Sequence, residues 1–367
     1  MIASLLGMAL GMALAIAPAL APPPQAPPAI PPPPAIEEVF AIPPDLRRSL
    51  HEDVASRRAH SDEQRLDALV RYLFAADGLG MRYRHDADHT VAESYRTREA
   101  NCLSFTLLTI ALARDLGIEA YGQEIRRVLG WYREGDTLYF SNHVNAGVHV
   151  AGRRLSVDVA SDQVLTADPP RRIDDRRLLA ILHSNRAASL LARGQTGAAG
   201  EHMAAAFAAD AGYATAWNNA GVLALREGRQ ADAGRAFESA LRLDATHEGA
   251  LMNLAALHAA RGEHAQEARL RRRIDRIQRH NPFHHFLLAI EDEKQGEYAR
   301  AARRYRRAIA LYAGEHQFHY GLARAYLHLG EGGKAGESLR RAQALAGHGN
   351  AQRYQAKLDQ LRRKGAL

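Results

Sequence analysis

The segment Trp217–Leu243, WNNAGVLALREGRQADAGRAFESALRL, decides how the C-terminal half of this chain folds. It contains two amphipathic stretches, Trp217–Arg226 and Ala231–Leu243. Their apolar residues recur three and four positions apart, which is the spacing of an α-helix. Gly228 lies between them, and glycine is the residue that most often ends a helix. We therefore predict a helix, a tight turn and a second helix.

The same unit recurs along the chain at a fixed interval. Five glycines lie 34 residues apart, each after a short helical pattern: Gly194, Gly228, Gly262, Gly296 and Gly330. This period is typical of stacked helical pairs, each of which buries its apolar face against the next. We predict five pairs over residues 176–349. A capping helix is expected over residues 350–367, with Tyr354, Leu358 and Leu361 on one apolar stripe.

The repeated unit resembles a known family at specific positions. The second unit matches the tetratricopeptide repeat (TPR) at Trp217, Gly221, Gly228, Ala233, Phe237 and Ala240. The resemblance implies an all-α superhelix that acts as a scaffold for protein or peptide partners. About half of the chain belongs to this scaffold.

The N-terminus has the composition of an export signal followed by a tether. Residues 1–21 are apolar and end in small residues of the kind that signal peptidases recognise. Residues 22–44 are proline-rich, which indicates an extended linker. We expect an exported protein of the bacterial periplasm or cell envelope, with residues 1–21 either removed or retained as a membrane anchor.

Residues 45–170 carry a mixed pattern. Residues 45–75 have helical periodicity, and a second apolar helix is predicted from Cys102 to Leu116. Asn101 and Gly117 supply its N-cap and its C-terminal glycine. Strand-like runs follow at Ile118–Ile125, Leu138–Phe140, Val144–Val150 and Leu155–Val159. A buried helix followed by an antiparallel sheet predicts an α+β domain.

Cys102 is a candidate nucleophile because of its position at the first turn of that helix. Free backbone N–H groups and the helix dipole stabilise a thiolate there. The chain has one cysteine, so it forms no intramolecular disulfide. A cysteine hydrolase also needs an imidazole base and a third group that orients the imidazole.

The strands that follow offer both partners. His143 and His149 share one face of a strand, and Asp158 lies on the next strand across a short turn. With a two-residue turn, Asp158 and Asp162 are both diagonal neighbours of His143. His149 lies farther from Asp158 along the strand. The spacing favours His143 as the base and leaves both aspartates open as the orienting group.

Residues 98–105, REANCLSF, and the apolar helix that they open resemble the cysteine-helix motif of the bacterial transglutaminase-like superfamily. The spacing of His143, Gly152 and Asp158 is similar to that family's histidine, glycine turn and aspartate. The resemblance implies a papain-like α+β fold. It also implies that Cys102, His143 and Asp158 are the catalytic triad, which selects Asp158 of the two aspartates.

Two functions remain in competition. One is an exported transglutaminase-like cysteine hydrolase or acyltransferase that acts on an amide bond as a peptidase, deamidase or transamidase. Its TPR scaffold would recruit a protein or peptide, and it would need no cofactor. The alternative is a non-catalytic envelope interaction module with a vestigial transglutaminase-like domain.

A recurring amide suggests how the scaffold binds a partner. Asn185, Asn219 and Asn253 occupy the same repeat position on the first helix of each unit. In TPR arrays this position faces the concave groove, where side-chain amides can hydrogen-bond an extended peptide. The competing explanation is that asparagine is simply common at this position in the family.

The remaining polar patterns indicate solvated surfaces. The net charge is +7 and the isoelectric point is near 9.6, but the arginines alternate with acidic residues on helical faces. We therefore expect no nucleic-acid partner. Five repeat histidines lack carboxylate or thiolate partners at metal-ligand spacing, so no metal is expected: His280, His284, His285, His316 and His319.

Overall fold

A computed structural model gives the fold of the chain. It describes residues 31–125, 131–134, 137–140, 143–158, 169–346 and 348–363. Apart from Pro31, all of these residues belong to one compact unit, Pro32–Leu367. The predicted export segment at residues 1–21 and the candidate Asp162 lie outside the described residues.

Three helices precede the cysteine helix, and the first of them shortens the linker that we expected over residues 22–44. Helix α1 (Ile36–Val39) lies within that stretch, and its Val39 is fully buried in the core. Helix α2 (Pro44–Ser56) begins with proline at its first position, where the missing N–H costs nothing. Helix α3 (Asp62–Phe74) is separate, because Ser61 caps a new N-terminus. The single helical pattern over residues 45–75 is therefore two helices.

The segment around Cys102 forms the predicted apolar helix. Strand β1 (Arg82–Tyr83), helix α4 (Val91–Thr97) and strand β2 (Glu99–Ala100) lead into helix α5 (Cys102–Asp115). Strands β1 and β2 pair in parallel. Nearly every side chain of α5 is buried, as its continuous apolar sequence requires.

Four strands form an antiparallel sheet in the order β7-β6-β3-β8. They are β3 (Glu119–Ile125), β6 (His143–Val150), β7 (Arg153–Val157) and β8 (Arg171–Ile173). Strands β4 (Trp131–Glu134) and β5 (Thr137–Phe140) form a separate hairpin. The sequence predicted neither β4 nor β8, since strands of four and three residues are too short to show an alternating pattern. The alternate residues Val144, Ala146 and Val148 of β6 pack with α5 in the core.

The hairpin between β6 and β7 has the two-residue turn that the spacing suggested. Val150 is paired with Arg153, and Ala151 and Gly152 form the turn with φ values of 50° and 73°. Two successive positive φ values match the twist of the flanking strands. This turn fixes which residues of β7 lie beside each residue of β6.

The C-terminal part consists of helical pairs that meet at the five periodic glycines. The pairs are α6 (Asp175–Ala192) with α7 (Thr196–Asp210), α8 (Ala214–Arg226) with α9 (Gln230–Leu243), α10 (Glu248–Ala260) with α11 (His264–Arg279), α12 (Pro282–Lys294) with α13 (Tyr298–Leu311), and α14 (His316–His328) with α15 (Gly332–Leu345). Each periodic glycine has φ between 70° and 77°, the left-handed conformation that ends a helix. The all-α repeat prediction is confirmed.

A last helix, α16 (His348–Arg363), follows the fifth pair. Its Tyr354 and Leu358 are buried beside Leu339 of α15, as expected for an apolar stripe that covers the end of an array. The side chain of Leu361 is outside the described residues. None of the described helices is long and apolar enough to cross a membrane.

The mixed α/β part and the first repeats share one hydrophobic core. A single cluster runs from Val39 through α5 and the sheet to Leu223 of α8. Gly122 of β3 allows a close approach, because an added Cβ there would lie 2.9 Å from Leu178 of α6. The repeat array is therefore packed directly against the sheet that carries His143.

Candidate functional site

Cys102 is the first residue of α5 and is half-buried. The side chain of Asn101 accepts a hydrogen bond from the backbone N–H of Ser104 at 3.0 Å, which is the N-cap contact expected from the sequence. The other N–H groups of the first turn have no partner within the helix. The thiol thus lies where backbone dipoles favour negative charge.

His143 and Asp158 form a close pair beside this thiol. The Nε2 atom of His143 lies 2.5 Å from Oδ2 of Asp158, and His143 is only 4% exposed. Cys102 lies close enough to the imidazole to contribute to its raised pKa. Asn145 donates to the same carboxylate oxygen at 3.3 Å. The structure therefore brings together the three residues selected from the sequence, with His143 between the other two.

The electrostatics of the site keep the imidazole charged. Burial by itself would lower the pKa of His143, but the hydrogen bonds and charges of Asp158 and Cys102 outweigh it. Together they raise the pKa of His143 to about 9. At neutral pH the ring is then an imidazolium, which is the form that stabilises a neighbouring thiolate.

Tyr83 is a site residue that sequence reasoning missed. The β1–β2 pair aligns Tyr83 with Ala100, two residues before Cys102. The Tyr83 side chain is 48% exposed, and the partial burial of its ring, followed by the charges of Cys102 and Asp158, raises the pKa of Tyr83 to about 12. The phenol therefore stays protonated and can donate a hydrogen bond. A two-residue strand in a charged loop leaves no periodic signal that could have revealed it.

His149 belongs to a different environment. Its Nδ1 atom lies 3.2 Å from Oε2 of Glu119, and its side chain is exposed. The structure thus separates the two histidines that share a strand face. Within the described ranges, His, Cys, Asp and Glu side chains form no group of three that could hold a metal ion.

A polar network joins the start of the cysteine helix to the first repeat. Asn101 and Asn185 both donate to Oδ1 of Asp88, at 2.8 and 3.1 Å. Burial raises the pKa of Asp88, against the lowering effect of these two amides. Arg186 strengthens the junction, since it donates to the backbone oxygen of Asp88 at 2.9 Å and pairs with Glu93 at 2.5 Å.

The other two candidate partner-binding amides also donate within the chain. Asn219 donates to the Ser184 hydroxyl at 3.0 Å, and Asn253 donates to the side-chain Oδ1 of Asn218 at 2.9 Å. These bonds link the first helices of successive repeats. The contact of these asparagines with a bound peptide stays a prediction.

Comparisons with known proteins identify the repeats. The tetratricopeptide repeat family model matches residues 185–248 and 286–350. No curated protein matches the chain. The chain therefore contains tetratricopeptide repeats, which form its helical C-terminal array.

Solved repeat structures align with part of the chain. YrrB, described as a TPR protein with an unusual peptide-binding site, is 19% identical over 45% of this chain and 86% of its own, with a TM-score of 0.26. MamA from Desulfovibrio magneticus is 16% identical over 45% and 94%, with a TM-score of 0.26. A thermophilic TPR protein from Thermus thermophilus is 17% identical over 49% and 97%, with a TM-score of 0.26. The repeat assignment rests on the family model and the 34-residue register, not on these alignments.

The Asp88 junction predicts energetic coupling between the cysteine helix and the repeats. In a double-mutant cycle, Asp88→Ala and Asn185→Ala should be non-additive by about 0.5–3 kcal/mol in the free energy of unfolding, because each removes the partner of the other. Asn219→Ala, a matched amide one repeat later, should be additive with Asp88→Ala. Denaturant unfolding measures both cycles. Additivity in the Asn185 cycle would contradict the coupling.

Proposed function

We propose that this protein is a cysteine-dependent acyl-transfer enzyme that acts on an amide bond, with a TPR array that recruits a protein or peptide. The observation that carries the proposal is the 2.5 Å hydrogen bond between His143 and Asp158, at a site where Cys102 contributes to the raised pKa of the imidazole. The cysteine-helix resemblance of residues 98–105 supports the same assignment. The apolar residues 1–21 support export to the cell envelope.

The geometry supports a two-step reaction. The Cys102 thiolate attacks the amide carbonyl carbon, and the resulting oxyanion is stabilised by N–H groups at the start of α5. The His143 imidazolium gives its proton to the leaving nitrogen as the C–N bond breaks, which leaves a thioester and a free amine. His143 then takes a proton from water or from an acceptor amine, and that nucleophile releases the acyl group.

Two other residues would assist this reaction. Asp158 fixes the imidazole and stabilises its charged form, which is the role of the third member in hydrolase triads. Tyr83 keeps its proton and would supply a second donor to the oxyanion. Since backbone groups and these side chains provide all the required proton transfers, the proposed reaction uses no cofactor.

The repeats would supply substrate recruitment. TPR arrays are stacked helical pairs that present extended surfaces to partners. YrrB is described as having a peptide-binding site, and by analogy this array would take an extended segment of a protein partner. The contact between α6 and the loop at Asp88 would hold that partner at a fixed distance from Cys102.

A second candidate function is a non-catalytic interaction module, and the confirmed TPR repeats favour it. In this case the array captures a partner and the Cys102 region serves only as a folded base for the first repeat. The repeats are expected under both candidate functions. The two candidates differ in whether the Cys102 thiol is a reactive nucleophile.

Alkylation of Cys102 separates the candidates. The chain has a single cysteine, so iodoacetamide labelling reports on that thiol alone. A free thiol with a pKa near 8.5 loses more than about a hundredfold in rate between pH 9 and pH 6. In the proposed enzyme, the neighbouring His143 imidazolium should limit this loss of rate to about tenfold.

Variants of the strand residues provide the controls. His143→Ala and Asp158→Ala should restore the steep pH dependence, whereas His149→Ala should leave the rate unchanged. A wild-type rate that falls like that of a free thiol, and that none of these variants alters, would reject the enzyme and leave the interaction module.

The interaction surface has its own test. Peptides that bind the array are first selected from a random library on the wild-type protein. Asn219→Ala combined with Asn253→Ala should weaken the binding of these peptides by about tenfold or more. The loss of two amide hydrogen bonds is the reason. Gln230→Ala combined with Gln266→Ala, on exposed second-helix positions, should have no effect. Equal binding by both double variants, with circular dichroism showing intact helices, would assign the asparagines to inter-repeat packing alone.

A further inference from the structure

A cluster of positively charged side chains lines a cleft far along the repeat array. Helices α11, α12 and α13 border an open cleft of about 680 Å³, and most of its arginines are exposed to solvent. Six arginines and one aspartate line it: Arg272, Arg276, Arg279, Arg303, Arg304, Arg307 and Asp275. His284, His285 and Leu288 of α12 lie between the two outer helices. Volumes of this size are typical of small-ligand sites.

The arginines form two rows that face each other. Arg272, Arg276 and Arg279 are three and four residues apart and therefore share one face of α11. Arg303 and Arg307 are four apart on α13 and form the second row. A helix rises 1.5 Å per residue, so the longer row spans about 10 Å. An anion in the cleft would be approached by guanidinium groups from two sides.

Most of these guanidinium groups have no anionic partner. Among the described side chains, no carboxylate pairs with Arg272, Arg276, Arg303 or Arg307. By contrast, Arg304 is held by Asp292 and by the Leu288 carbonyl oxygen, each at 2.9 Å. Several unpaired like charges at close range repel one another. A bound anion would offset this repulsion, which favours the binding of negative charge in the cleft.

Charge density decides which anion fits. An extended peptide advances about 3.3 Å per residue and points alternate side chains to opposite sides. Only one or two carboxylates would then face each arginine row over about 10 Å. A phosphate monoester carries about −1.5 to −2 charges and offers three acceptor oxygens, which match the guanidinium fork. Adjacent phosphates therefore balance the cleft better than an acidic peptide does.

We infer that this cleft binds a compact anion with two or more linked phosphate groups. Among the described residues, arginines outnumber every other type of side chain that lines the cleft, and no Phe, Tyr or Trp lies among them. Recognition is thus of the phosphates themselves. The site is independent of Cys102 and of the proposed reaction.

Calorimetric titration with inorganic tripolyphosphate tests the inference. The salt concentration should be about 0.15 M, where charges beyond roughly 8 Å are screened. We expect saturable binding to the wild type, and at least tenfold weaker binding to Arg276→Gln combined with Arg307→Gln. A second double variant, Arg272→Gln combined with Arg303→Gln, should weaken tripolyphosphate binding to the same extent. Hexaglutamate and orthophosphate should bind at least tenfold more weakly than tripolyphosphate.

The matched control removes two charges from the same helices outside the cleft. Arg269→Gln combined with Arg306→Gln replaces two exposed arginines that do not line it, and should change the affinity less than twofold. Three results would overturn the inference: no saturable tripolyphosphate binding to the wild type, tighter binding of hexaglutamate, or equal weakening in cleft and control variants. The last would mean general attraction to a chain of net charge +7.

Discussion

The hydrogen bond between His143 and Asp158 is the contact on which the rest of the site depends. It joins the first residue of β6 to the residue after β7, and it exists because the hairpin turn has two residues. A slip of one residue in this pairing would turn the β7 side chains to the opposite face. The same bond keeps the imidazole charged despite its burial, which gives Cys102 a cationic neighbour.

The second constraint is the common core of the α/β part and the repeats. Leu178 of α6 packs over Gly122 of β3, and Asn185 of the same helix contacts Asp88 beside the cap of the cysteine helix. The first repeat is therefore part of the framework that holds the N-terminus of α5. A partner bound to the array would lie on a scaffold that shares its hydrophobic core with the site.

The features that could be predicted from the sequence are those set by local geometry. The glycines at 34-residue intervals predicted the helical pairs. Each first helix ends at a residue in the left-handed backbone conformation, which glycine adopts without strain. Asn101 predicted the helix start at Cys102, and a two-residue turn predicted the neighbours of His143. Each of these inferences needs only a few adjacent residues and a known periodicity.

What the sequence did not reveal depends on distant residues that meet in space. Tyr83 reaches the site through a two-residue parallel strand, and Asp88 meets Asn185 across 97 positions. The arginines of α11 and α13 look like ordinary solvated faces until the helices bring two rows together around α12. The predicted linker over residues 22–44 was too long because it included α1. That helix has only four residues, too few to show a helical periodicity.

The central claim is that His143 is held as an imidazolium between Asp158 and Cys102. Nuclear magnetic resonance of ring-labelled histidine measures this directly, by following the His143 signals from pH 5 to pH 10. The account predicts a pKa of about 9 in the wild type, and a clearly lower pKa in Asp158→Asn, where Cys102 alone opposes the lowering effect of burial. A wild-type His143 that titrates at or below the ordinary histidine value of about 6.5, with no change in Asp158→Asn, would contradict the account.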